Sequence, residues 1–137
     1  MPNIVYSLQL EKNNKIPAIT HTLPSGHVAR VFESSAILAY ISGKFDPEHK
    51  LSFAPDSDEY PEVLSWLFWG PANLTAMLIE AVHYNYLPTK IPDASKRYKD
   101  EAYRLIGTIN DRLKDRDYLA GAGRGKFSVA DISIFPQ

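Results

Sequence analysis

Glu33, Ser34 and Ser35 stand where an apolar β-branched run gives way to a helical stripe, and they are the residues of this chain most suited to ligand chemistry. Val28, Val31 and Phe32 suit a strand, whereas Ala36, Ile37, Ala39, Tyr40 and Ile41 recur at helical spacing, so Ser34 or Ser35 falls where N-caps are favoured. A helix N-terminus presents N–H groups without intrahelical partners and the positive end of the helix dipole, and both attract an anion. The Glu33 carboxylate beside it attracts an ammonium. Together they suit a zwitterion, although the same residues also describe an ordinary acid and cap at a helix start.

The elements that position this turn follow from the flanking pattern. Lys15-Ile16-Pro17-Ala18-Ile19-Thr20 reads as a short strand, and its proline marks an edge or an irregular position. Pro24-Ser25-Gly26-His27 is a turn, so 16–21 and 28–32 form a β-hairpin that leads into a helix over 34–43, with Gly43 as its C-cap. Residues 1–12 are weakly patterned, as the tail of a helix or an extended lead-in, and Asn13-Asn14 signals a turn. Residues 46–58, with Pro47, Ser52, Pro55, Asp56, Ser57 and Asp58, have the composition of a linker between a subdomain over 1–45 and a second over 59–137.

The second subdomain reads as helical. Trp66, Trp69, Leu74, Met77, Leu78, Ala81 and Val82 repeat at three or four over Tyr60 to about Leu87, and Gly70-Pro71 must bend or interrupt that helix because Pro71 has no N–H to donate. Pro88 and Pro92 end it. Asp93 then caps a second helix running to about Arg116, with Ala94, Tyr98, Ala102, Leu105, Ile106, Ile109 and Leu113 on its apolar face. Near the end, Ser128 and Asp131 form a capping box in which Asp replaces the usual Glu or Gln, and Phe127 and Ile132 stand where a hydrophobic staple belongs. This pair is read as structural.

Composition narrows the classes of function. A chain of 137 residues can bury a core without staples, and 15 basic against 16 acidic residues leave no polycationic field for nucleic acid or an anionic membrane. With no cysteine there is no disulfide, thiolate metal site or cysteine nucleophile. No apolar run reaches the ~18 residues of a membrane span and the start lacks a signal-peptide pattern, so a cytosolic protein is expected. His21, His27, His49 and His83 show no metal-ligand spacing. Gly121-Ala122-Gly123-Arg124-Gly125-Lys126 superficially resembles a phosphate loop, but position 120 is Ala and Phe127 stands where Ser or Thr would bind magnesium. Trp66, Trp69, Asn73, Met77 and Tyr84 are candidates for a substrate wall along the bent helix, against a default of core packing.

Four landmarks in order, Lys15-Ile16-Pro17-Ala18-Ile19, Phe32-Glu33-Ser34-Ser35-Ala36-Ile37, Trp66-Leu67-Phe68-Trp69, and Tyr118-Leu119-Ala120-Gly121 with Phe127-Ser128-Val129-Ala130-Asp131-Ile132, resemble those of glutathione S-transferases, most of all the fungal and bacterial group similar to the yeast nitrogen regulator. The resemblance implies an α+β fold: a partial thioredoxin-like β-hairpin plus helix, then a mainly helical C-terminal subdomain. It implies truncation at both ends, since the family's first strand, first helix and second strand have no counterpart before Met1, nor have the helices that follow the capping box. The family's activating hydroxyl or thiol belongs to that first strand, so no catalytic residue carries over. What the resemblance carries over is a glutathione site. Pro17 would be the family's cis proline, turning the backbone of Ile16 toward the cysteinyl part; Glu33 and Ser34 match the residues that hold the γ-glutamyl ammonium and carboxylate; Lys15 would meet the glycyl carboxylate.

The expected function is therefore conjugation of glutathione, as co-substrate, to a small hydrophobic electrophile, or its use in isomerising one, with Trp69, Asn73 and Met77 in the electrophile's pocket. The alternatives are a non-catalytic protein that keeps the fold for binding or dimerisation, and a fragment of a longer transferase. In the family the Ile16–Thr20 strand is paired on both sides, whereas here one side is expected to lack its partner, beside Val5, Ile19 and Val31. A second copy of the chain would cover that edge, which makes a homodimer the expected state.

Overall fold

A computed structural model describes residues 4–6 and 15–135. The chain divides into two compact units, Met1–His49 and Lys50–Gln137. The fold is α+β, with a small antiparallel sheet and one helix in the first unit and helices in the second.

In the first unit, strands β1 (Ile4–Tyr6), β2 (Ala18–Thr22) and β3 (Val28–Phe32) form an antiparallel sheet in the order β1-β2-β3. The β2–β3 hairpin pairs Ala18 with Phe32 and Thr22 with Val28, and it turns where Leu23 N–H donates to His27 O (2.8 Å) and Gly26 adopts a φ of 82° that glycine tolerates without cost. Ala18 and Ile19 are buried, and helix α1 (Ser34–Phe45) lays Ser35, Ile37 and Ser42 into the same core. His21 is buried there too: its Nδ1 lies 2.7 Å from the Tyr40 hydroxyl, and its ring packs near Tyr40 and Phe45. It is a core histidine.

Three sequence expectations change in this unit. The other edge of β2 is covered, because β1 runs antiparallel to it with Ile4, Val5 and Tyr6 opposite His21, Thr20 and Ile19. That edge therefore needs no second copy of the chain to cover it. The rest of the 1–12 lead-in and the Asn13-Asn14 turn lie outside the described residues. The N-cap of α1 is Glu33 rather than a serine, and α1 runs past Gly43 to a C-cap at Asp46, so Gly43 sits inside the last turn without needing a left-handed backbone.

In the second unit, α2 (Tyr60–Trp69) continues through a π-helical turn (Gly70–Thr75) into α3 (Ala76–Tyr86), and α4 (Pro92–Arg112) and α5 (Val129–Ile134) pack against them. Pro71 cannot donate to the carbonyl four residues back, and the chain answers by widening the helix instead of breaking it. Side chains take up part of the load: Asn73 Nδ2 donates to Trp69 O (3.1 Å) and Thr75 Oγ1 to Gly70 O (3.4 Å). Gly70 also lets α5 come close, since a Cβ there would stand 3.0 Å from Ile134 Cγ1. Val63, Leu67, Leu74, Ala102, Leu105, Val129 and Ala130 form the core.

Here α3 ends at Tyr86, with Leu87 extended before Pro88 as the residue before a proline prefers. Asp93 is not a cap. Ile91 holds the N-cap position and Pro92 opens α4, its missing N–H costing nothing in the first turn, while Asp93 adds acidic charge to that turn. The helix closes at Arg112, four residues before the expected Arg116, and the side chains of both arginines donate to Leu119 O in the loop beyond. Residues of the expected linker are tied into this unit: Val129 N–H donates to Leu51 O (2.8 Å) and Lys126 Nζ to Ser52 O (2.8 Å). No helix among the described residues is long and apolar enough to cross a membrane.

Candidate functional site

The junction of β3 and α1 has an unusual backbone at Glu33. Its φ of 70° and ψ of 126° put a residue with a Cβ in the left-handed half of conformational space, at a cost of roughly 1–3 kcal/mol that the surroundings must offset. This turn lets the chain leave β3 and start α1 within one residue, with Ile37 N–H already bonded to Glu33 O (2.9 Å). No side chain caps α1. The positive end of a twelve-residue helix thus opens at Ser34 beside a carboxylate.

Across from it lies the entry to β2. The Ile16–Pro17 peptide is cis. Lys15, Ile16, Pro17, Glu33 and Ser34 line one small pocket of about 80 Å³, with Ile16 three-quarters exposed at its rim (74%). The two sequence landmarks, separated by a hairpin, are thereby brought to one place. The pocket offers a carboxylate, an ammonium, a hydroxyl and a helix N-terminus, which can hold the two ends of a zwitterion together with a flanking carboxylate. Its volume admits a few polar atoms rather than a whole drug-sized molecule, so it would grip the end of a longer ligand.

Trp69, Asn73 and Met77 belong to the second unit. Trp69 packs edge-on to Trp66, with ring centroids 5.4 Å apart, and the Asn73 amide is bonded to the Trp69 carbonyl. Met77 lines a separate hollow with Arg97, Tyr98, Asp100 and Glu101. Tyr84 stacks on Tyr98 at 5.1 Å with rings 8° from parallel, which joins α3 to α4.

The glycine-rich stretch after α4 is a folded clasp. Glu62 accepts from Arg112 Nη2 and from Gly121 N–H (3.0 Å); Arg112 Nε also donates to Leu119 O (2.8 Å), and Arg116 donates to Leu119 O, Gly121 O and Gly123 O. Lys126, the residue that would reach a phosphate, is bonded to Ser52 O and lies 4.8 Å over the Phe53 ring. The box closing the clasp is complete. Ser128 N–H donates to Asp131 Oδ2 (2.8 Å), Ala130 N–H to Ser128 Oγ (3.3 Å), and Leu119 N–H to Asp131 Oδ1 (2.9 Å). Phe127 and Ile132 line one apolar groove. Pattern reading could not find the Glu62–Arg112 tie, since the partners are far apart in sequence and charge periodicity is local.

No family model matches the chain. It is 37% identical over 132 residues to the disulfide-bond oxidoreductase YfcG of Escherichia coli, covering 94% of this chain and 58% of that protein. Glutathione S-transferase 2 of Schizosaccharomyces pombe is 31% identical over 130 residues, covering 94% and 54%. Among solved structures, the glutathione transferase URE2P6 of Phanerochaete chrysosporium, in complex with oxidized glutathione, superposes with a TM-score of 0.82 at 32% identity, covering 94% of this chain and 57% of that one. The chain spans a little over half the length of these relatives.

Proposed function

We propose, on the premise that the chain belongs to the glutathione S-transferase family over the part of those proteins that it spans, that the pocket of Lys15, Ile16, Pro17, Glu33 and Ser34 holds glutathione for conjugation to a small hydrophobic electrophile, or for isomerising one. The observation that carries this reading is the meeting of Glu33 and Ser34 with Ile16 and Pro17 in one pocket. The Glu33 carboxylate would accept from the γ-glutamyl ammonium. The first turn of α1 and the Ser34 hydroxyl would donate to the neighbouring carboxylate, the Ile16 backbone would pair with the cysteinyl backbone as strands pair with peptides, and Lys15 would meet the glycyl carboxylate. Trp69, Asn73 and Met77 are proposed for the electrophile's side. The protein's work is then to hold the thiol in reacting position and favour its thiolate.

A second reaction is favoured by the likeness to a disulfide-bond oxidoreductase. The thiolate of bound glutathione would attack one sulfur of a small disulfide, forming a mixed disulfide and releasing the other sulfur as a thiol. This chain, with no cysteine, would contribute binding and orientation only. A cytoplasmic setting, where the glutathione pool is kept reduced, suits both reactions. The proposed partner in solution is a second copy, for which Val82, Tyr86, Tyr103 and Ile106 expose apolar surface along α3 and α4. Calorimetric titration with glutathione, followed by assays with a chlorinated dinitrobenzene and with a small disulfide, tests the reading. Binding with turnover of either substrate supports it; absence of binding removes it, and binding without turnover leaves the non-catalytic alternative.

A further inference from the structure

We infer that the outer edge of β3 is a docking site for an extended peptide segment in which an acidic residue stands between two β-branched or aromatic ones, each two positions away. In the sheet order β1-β2-β3, one side of β3 is open among the described residues. The hairpin settles which groups face that side. Leu23 N–H donates to His27 O, so residues 23 and 27 form a hydrogen-bonded pair, and in an antiparallel ladder such pairs alternate with pairs that share no bond. Counted from there along the register, His21–Ala29 and Ile19–Val31 exchange bonds, whereas Thr22–Val28, Thr20–Arg30 and Ala18–Phe32 do not. Val28, Arg30 and Phe32 therefore turn N–H and C=O away from β2, and among the described residues no backbone bond takes up those N–H groups.

The side chains of the same three residues make the recognition surface. They share one face of the strand and are its exposed positions, Val28 at 46% and Phe32 at 49% with Arg30 between them. The strand holds neither proline nor lysine, and Arg30, its sole charge, forms no ion pair among the described residues. That charge selects the partner. A second copy paired about a two-fold axis over the full strand would set Arg30 against Arg30, and like charges directly opposite each other repel. Arg30 thus guards the edge against its own copy. An acid opposite Arg30 reverses the sign of that term, and β-branched or aromatic neighbours opposite Val28 and Phe32 cover their apolar surface. Main-chain bonds to the outward N–H and C=O groups supply the affinity, and the alternate side chains supply the specificity. Gly26 turns the chain before the strand and the positive φ of Glu33 leads it into α1 after it, so the matched segment is about as long as the five residues of β3.

The probe is the capped peptide Thr-Val-Thr-Glu-Thr-Val-Thr, with a second peptide in which Lys replaces the central Glu and a third in which the Glu nitrogen is methylated. Titrated into the isotopically labelled chain, the Glu peptide should give saturable amide shifts centred on Val28–Phe32. The Lys peptide should bind roughly two- to tenfold more weakly, the scale of exchanging an opposite for a like charge across strands, and the methylated peptide should not bind. Arg30→Glu should reverse the order of the Glu and Lys peptides and Arg30→Gln should abolish it, with unchanged amide exchange at Ile37–Ile41 showing that α1 stays folded. If Arg30→Glu does not fold, Arg30→Gln decides: loss of the order supports the inference and its persistence overturns it. No saturable shift up to millimolar Glu peptide, shifts centred elsewhere, equal affinity of wild type for the Glu and Lys peptides, or undiminished binding of the methylated one each overturn it. So does a chain whose Val28–Phe32 amides shift on concentration alone together with a dimer seen by light scattering, since the edge would then take a second copy.

Discussion

Glu33 carries two opposing burdens, and three substitutions separate them. Its φ of 70° and ψ of 126° cost roughly 1–3 kcal/mol, and any residue with a Cβ bears that cost. Glu33→Ala keeps the strain and removes the carboxylate, so local stability should fall by only ~0.3–1 kcal/mol, the worth of an acid at a helix N-terminus. Glutathione affinity should fall by about 1.5–3 kcal/mol, the worth of a charge-assisted hydrogen bond, or roughly 10- to 150-fold in Kd. Glu33→Gly relieves the backbone but adds about 0.5–1 kcal/mol of unfolded-state entropy. Relative to the alanine variant, its net effect on the first unit should therefore lie between neutral and ~2 kcal/mol stabilising, with the same loss of ligand. Glu33→Gln keeps the shape and an acceptor oxygen but loses the charge, so its affinity should fall between wild type and Ala. Opening free energies from hydrogen exchange at Ile37 and Leu38, with calorimetry for the ligand, give both axes. A glycine variant less stable than the alanine variant would refute the strain argument. An alanine variant that binds glutathione as wild type does would remove Glu33 from the site.

Other outcomes follow from the second unit. Ser128→Ala should cost about 1–2 kcal/mol through the lost cap and leave glutathione affinity nearly unchanged, whereas a variant that melts normally but loses ligand would contradict the structural role. Asp131→Ala should cost more, about 2–4 kcal/mol, because it also strands the Leu119 N–H; thermal melts order the two. Gly125→Ala should disrupt the clasp outright, since a Cβ there would lie 2.5 Å from Tyr118 O at a φ of 80°, and tryptic cleavage after Arg124 or Lys126 would accelerate. The Arg124 guanidinium, bonded to both oxygens of Asp117, holds that carboxyl below its usual 3.8. The pair's contribution is complete above that ordinary value and is lost as pH falls through the lowered one, so an NMR titration should find Asp117 below 3.8 in wild type and nearer 3.8 in Arg124→Ala.

What could be read in the sequence tracks what is local. The hairpin, α1 and the Ser128–Asp131 box were legible because each is signalled by neighbours within four residues, through period-two alternation, turn residues and a cap spacing. Propensity points to Ser34 or Ser35 as the cap of α1 because serine is the better cap, and nothing in composition announces that Glu33 takes that position with a positive φ. Gly70-Pro71 announces an irregularity without its kind; that the missing Pro71 N–H is met by a π-helical turn and not by a break is not written in the local pattern. An extended lead-in and a helix tail stay open over 1–12 because the three residues of β1 carry no usable periodicity, yet β1 changes which edges of the sheet are exposed. Asp93 drew attention as a cap, but the restriction that Pro92 places on the residue before it moved the helix start back to Ile91. The five pocket residues were nameable in advance through the family resemblance, whereas their meeting in one pocket required the fold.

The central claim is that glutathione occupies the pocket between the β2 entry and the start of α1, and mapping amide shifts on the isotopically labelled chain during a glutathione titration tests it most directly. The account predicts saturable shifts centred on Lys15, Ile16 and Glu33–Ala36, abolished in Glu33→Ala. Saturable shifts centred instead on the helices of the second unit, or none up to millimolar glutathione, would contradict it.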